Sequence, residues 1–137
     1  MVKRLKLQLK NKINPTFVGF LFLYIRKLYI CFQIAYISKN KEAFSGLIFL
    51  GAYSTIDLSD TSFNIISIYG ENDNVMNKDK YNSSLSNLPT NYHEEIITGR
   101  NHAYFGMYGN QAGDGKAIIS NEEQIEQAAD IIYKFLQ

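Results

Sequence analysis

Cysteine is nearly missing from this chain: Cys31 stands alone, so no intrachain disulfide framework can form. Histidine is almost as scarce. His93 and His102 lie too far apart to supply a metal-ligand spacing, and no metal or other cofactor is expected. Acids are missing from residues 1–41, which carry nine Lys or Arg. The other five basic residues and all 13 acids fall in 42–137, so a head of +9 precedes a body of 5 − 13 = −8. Such asymmetry is a reason to consider a membrane or nucleic-acid contact. The basic residues flank apolar runs and form no uninterrupted patch, so nucleic acid is not an expected partner. The chain also lacks an apolar run of the ~20 residues that a membrane-spanning helix needs. Phe17–Ile25 is interrupted by Arg26-Lys27, and Leu28–Ile37 contains Gln33. No small-x-small cleavage site follows this head, as a signal peptide would require. A membrane contact through residues 1–37 stays open beside a pair of buried strands, or a strand and a helix. A cytoplasmic location is favoured. No Gly-Lys-Ser/Thr follows a strand, which excludes a phosphate loop. A calcium loop centred on Gly115 would need acids where Ala112 and Asn121 stand.

What is present is a globular composition, 46% hydrophobic and 20% charged over 137 residues, enough for one domain with a core. Residues 1–31 form the basic, apolar head and 32–137 the remainder. Phe17–Ile25 and Lys27–Cys31 read as buried strands, and 32–43 as a helix with Phe32, Ala35 and Tyr36 on its apolar side. Gly46–Gly51 reads as a central parallel strand, apolar on both faces. Phe63–Tyr69 is the next strand, a short helix falls within Met76–Leu88, and Glu95–Thr98 is a further strand. The four glycines of 106–115 mark a loop. Ser120-Asn121-Glu122-Glu123 is a capping box. Behind it Ile125, Ala128, Ala129, Ile132, Phe135 and Leu136 repeat at helical spacing to the chain end. This alternation predicts an α/β fold, a mostly parallel sheet with helices on both faces.

In such a sheet, ligands bind beyond the carboxyl ends of the strands. Asp73 lies four residues past Tyr69, in Gly70-Glu-Asn-Asp-Asn. His102 lies four past Thr98, in Gly99-Arg-Asn-His-Ala. Both reach the same rim if their strands are neighbours. The carboxylate would then hold the imidazole tautomer and stabilise the imidazolium formed when the histidine takes a proton from a nucleophile. Taken singly, Asp73 reads as an Asx-turn residue and His102 as a loop histidine bonded to backbone. The pair, in this order at strand ends, favours the catalytic reading. Arg100 reads as a solvated loop arginine.

Gly46-Leu-Ile-Phe-Leu-Gly-Ala-Tyr, Ile68-Tyr-Gly-Glu-Asn-Asp-Asn-Val, Gly99-Arg-Asn-His-Ala-Tyr-Phe-Gly-Met-Tyr-Gly and Gly113-Asp-Gly with Ser120-Asn-Glu-Glu-Gln resemble the C-terminal half of a microbial α/β-hydrolase. The chain is similar to the small serine hydrolases near the dienelactone hydrolases, over about residues 33–137. The resemblance implies a partial α/β-hydrolase fold, an esterase-like activity on small acyl esters, and catalytic roles for Asp73 as triad acid and His102 as triad base. It also implies that an N-terminal portion of the sheet is missing, leaving exposed edges through which copies of the chain could associate. A Gly-x-Ser-x-Gly nucleophile turn is expected upstream. At that place the sequence reads Lys27-Leu-Tyr-Ile-Cys-Phe-Gln-Ile-Ala-Tyr, without serine or glycine. Cys31 sits in an apolar run as packing cysteines do, and Ser45 precedes a strand and so faces the opposite rim. Three readings follow: a hydrolase-like protein with little or no activity alone, a membrane-associated or protein-binding protein, or a gene fragment without selected function.

Overall fold

A computed structural model describes residues 36–37, 39–105 and 109–137, together with the backbone of 20–24. The strand expected at Lys27–Cys31, the start of the helix expected at Phe32, and Cys31 itself lie outside the described residues. Strands β1 (Phe20–Tyr24), β2 (Gly46–Leu50), β3 (Asn64–Gly70) and β4 (His93–Ile97) follow one another in a single sheet in the order β1-β2-β3-β4. β1 pairs parallel with β2, Phe20 opposite Gly46, and β2 pairs parallel with β3, Gly46 opposite Asn64. All five residues of β2 are buried, and in β3 only Asn64 is exposed. A parallel strand covered on both faces needs no polar alternation, and these runs have none. The chain is α/β with a parallel sheet, as the alternation of elements predicts.

Helix α1 (Lys78–Ser84) begins where the Asn77 side chain accepts the Lys80 amide at 2.8 Å. It tightens into a 3-10 turn, Leu85–Asn87, and Leu88 is extended, as a residue before proline prefers to be. Three boundaries and faces differ from the sequence reading. Tyr36 is 62% exposed rather than on an apolar face, its ring edge-on to Phe44, while Ile37 takes the buried place. The helical turn there stops at Asn40, and Lys41–Ala43 is a separate 3-10 turn. β4 starts two residues before the expected Glu95. The two added residues, His93 and Glu94, are polar and exposed, so they carry no apolar signal.

The chain divides into two units. One holds Met76–Glu94 and the described residues before Tyr69. Its core is Ile37, Leu47, Phe49, Ala52, Leu58, Phe63, Ile65 and Leu88, rimmed by Phe44, Ile56, Leu85 and Tyr92. Burial of each large apolar side chain contributes about 1.5–3 kcal/mol. Within this unit Tyr81, almost wholly buried, lies 2.5 Å from Glu94 Oε1 and 3.1 Å from Ser67 Oγ.

The other unit holds Tyr69–Val75 and Glu95–Gln137. Its long helix α2 (Asn121–Phe135) buries Ile125, Ala128, Ala129 and Ile132 and packs on a 3-10 turn, Ala103–Phe105. Phe135 is only partly buried, and Gln124 occupies a fully buried place that apolar spacing does not reveal. The capping box is present: Ser120 Oγ accepts the Glu123 amide at 3.2 Å, and Glu123 Oε2 accepts the Ser120 amide at 2.9 Å. Ser120→Ala should lower stability by about 1 kcal/mol, read as a fall in the thermal midpoint. The Ser120 amide, and then its hydroxyl, hold the Glu123 carboxyl below its ordinary value of 4.5. A depressed carboxyl stabilises above its unfolded value and loses that contribution as the pH drops through the folded one. The gap between wild type and Ser120→Ala should therefore narrow on acidification below pH 4.5.

Candidate active site

β3 ends at Gly70 and β4 at Ile97, and the loops leaving them run side by side. The Glu71 amide donates to Ile97 O at 3.0 Å, and the Asn72 amide donates to Arg100 O at 2.8 Å. This approach requires a residue without a side chain at Gly70, where a Cβ would fall onto the Arg100 carbonyl. The second loop turns at Gly99, whose φ of +67° favours glycine. The Gly99 amide donates to Glu71 Oε2 at 2.9 Å, a further tie between the loops.

The two loops bring Asp73 and His102 together. His102 Nδ1 is 2.7 Å from Asp73 Oδ2, and each residue is 1% exposed. A carboxylate can only accept, so the ring proton lies on Nδ1 and donates to Asp73; in the neutral ring Nε2 is then the basic nitrogen. Asp73 Oδ1 meanwhile accepts the Val75 amide at 3.0 Å. The turn role and the orienting geometry therefore coexist, one on each carboxylate oxygen.

The backbone around His102 is held by side chains that no motif singles out. The His102 and Ala103 amides donate to the Asp114 carboxylate, and the Tyr104 amide donates to Asn101 Oδ1 at 3.1 Å. Asn101 Nδ2 donates to Gly115 O at 3.0 Å, and the buried Gln124 donates from Nε2 to Asn101 O at 2.7 Å. The available signal was Gly113-Asp114-Gly115, an acid flanked by glycines, where backbone amides can approach closely. Arg100 corrects the sequence reading. It is 7% exposed, not solvated, and its Nη2 donates to Gln127 Oε1 on α2 at 2.9 Å. Its long stem lies against protein, as arginine stems can.

Among the described serines near strand ends, Ser45 stands at the amino end of β2. Ser54 follows the carboxyl end of β2, but its hydroxyl donates to Ile56 O at 2.7 Å within its own turn. No serine precedes Ser38 in the sequence. The segment 27–36, where a nucleophile turn was sought, lies outside the described residues apart from Tyr36. Among the described residues no helix is long and apolar enough to cross a membrane.

A profile of the alpha/beta hydrolase family matches residues 31–126, a span that takes in β2 to β4, both loops and the start of α2. No curated protein matches the chain. Among solved structures, a predicted CIB-like hydrolase from Thermoplasma acidophilum is similar in fold, with a TM-score of 0.55 and 13% identity over 98% of this chain. The chain spans 60% of the length of that protein. The family profile covers well over half of the sequence, and the parallel sheet and rim loops fit it. The chain belongs to the alpha/beta hydrolase family.

Proposed function

We propose that Asp73 and His102 are the orienting acid and the general base of a serine-hydrolase-type site for small acyl esters, in a chain that does not itself supply the nucleophile. The observation carrying this reading is the buried 2.7 Å contact of His102 Nδ1 with Asp73. With its proton fixed on Nδ1, the ring can take a hydroxyl proton at Nε2 and return it to the leaving alkoxide, while the Asp73 carboxylate stabilises the intervening imidazolium. The base activates a nucleophile but does not replace one. The purified chain should therefore hydrolyse activated esters little above background and should not label with a fluorophosphonate probe. A serine labelled by the probe in the wild type, and unlabelled in His102→Ala, would overturn the missing nucleophile. The pair has its own test by proton NMR. A strongly deshielded imidazole proton should be present in the wild type and lost in Asp73→Asn; its absence from the wild type would sink the acid–base reading.

A further inference from the structure

The Asp114 carboxylate gathers four backbone amides. Its Oδ2 accepts Ala103 N–H at 2.7 Å. Its Oδ1 accepts the amides of Gly115 at 2.8 Å, His102 at 3.2 Å and Asn74 at 3.4 Å. An ionised carboxylate offers about four lone-pair sites, two on each oxygen; three of these donors share Oδ1 and one takes Oδ2. They come from three segments: the loop of the acid, the loop of the base, and the loop of Asp114 itself. One donor is His102 and another is the residue following Asp73. The glycine loop is fastened to the base's loop a second time, through Asn101 Nδ2 to Gly115 O. Asn72 Nδ2, on the acid's loop, donates to Lys116 O at 2.9 Å.

We infer that Asp114 is a positioning residue for the Asp73–His102 pair, setting the separation of acid and base by holding the main chain of both loops. The inference rests on the pair being the acid and base of the site. An ionised acceptor binds amides more strongly and at shorter range than a carbonyl does. No neutral side chain of the same size can stand in for it. Asparagine keeps one acceptor oxygen and would aim an NH2 group at amides that are themselves donors, so Ala103 N–H or the Oδ1 group of donors loses its acceptor. The loop carrying the imidazole then shifts relative to Asp73. A charge-assisted hydrogen bond is the interaction most sensitive to such a shift.

The test is proton NMR on the full chain, reading solvent exchange of the His102 Nδ1 proton. In Asp114→Asn this proton should exchange roughly tenfold faster than in the wild type, the effect of weakening one charge-assisted bond. Amides of α2 should keep their protection, which shows that the variant is folded. Unchanged exchange of the imidazole proton, with only a lower thermal midpoint, would overturn the positioning role and leave Asp114 a structural residue. A resonance missing from the wild type, or surviving Asp73→Asn, would remove the pair and the inference with it. Should Asp114→Asn not fold, Asp114→Glu carries the same test, because it keeps the charge but displaces it by one methylene. Asp114→Glu should also speed the exchange, and an unaltered rate would count against the role.

Discussion

Gly70→Ala should unfold, or nearly unfold, the part of the chain that carries Asp73 and His102. The added Cβ would lie against the Arg100 carbonyl oxygen, 2.5 Å from Arg100 C and 2.9 Å from Asn101 N. All three are backbone atoms, so no rotamer change relieves the contact. The end of β3 must separate from the loop following β4, at the cost of the Asn72–Arg100 and Glu71–Ile97 backbone hydrogen bonds. Two such bonds contribute about 1 kcal/mol each, and forced overpacking adds roughly 1–3 kcal/mol. A loss of about 3–5 kcal/mol takes most of the stability of a domain near the low end of the usual range of about 5–15 kcal/mol. Urea denaturation measures it: the midpoint should collapse toward zero denaturant, and the deshielded imidazole proton should disappear. A midpoint within error of the wild type would show that the two loops do not need their close approach.

The parts of this structure that a linear reading reaches are those set by local rules. β2 and β3 are short apolar runs closed by glycine, and both appear within a residue or so of their expected spans. The capping box of α2 is a four-residue signal whose partners are three residues apart, so it is visible without tertiary knowledge. Asp73 and His102 stand out as candidates because each follows a strand end, and their loops bring them within 2.7 Å of each other. What escaped depends on distant partners. Asp114 meets Asn74 across 40 positions of sequence, and Gly113-Asp-Gly marks a place for close approach without saying which segment arrives there. Gln124 is polar at a buried helical position, and its Nε2 finds its acceptor in the Asn101 carbonyl, 23 residues away. The charge of Arg100 points to solvent, yet Gln127 on α2 accepts its Nη2. The start of β4 escapes because His93 and Glu94 are polar and exposed. Apolar periodicity reports which face is buried; it is silent on polar residues buried by specific hydrogen bonds.

Asp73→Ala and Asp73→Asn should separate what the acid does for folding from what it does for the base. Asp73 is almost fully buried, and it accepts both His102 Nδ1–H and the Val75 amide. Alanine removes the acceptor of both and leaves the imidazole beside a void. Each donor left unsatisfied in the interior costs about 1–3 kcal/mol. The expected loss for Asp73→Ala is therefore about 3–5 kcal/mol, the range seen when one member of a buried pair is removed, and the urea midpoint should fall accordingly. Asparagine is nearly the same shape. Its carbonyl oxygen can still accept the Val75 amide, and its NH2 group then faces His102 Nδ1. Two donors cannot bond each other, so the imidazole proton must move to Nε2 and leave Nδ1 as the acceptor. Asp73→Asn should thus lose only about 1 kcal/mol, the net worth of an ordinary hydrogen bond, while reversing the tautomer. Nitrogen-15 shifts of the imidazole read this directly: Nδ1 should be the protonated nitrogen in the wild type and Nε2 in Asp73→Asn. A ring with its proton on Nε2 cannot take one there from a hydroxyl, so the variant would keep the fold and lose the base. If the tautomer is the same in both proteins, Asp73 is not what orients His102, and the acid has a structural role alone.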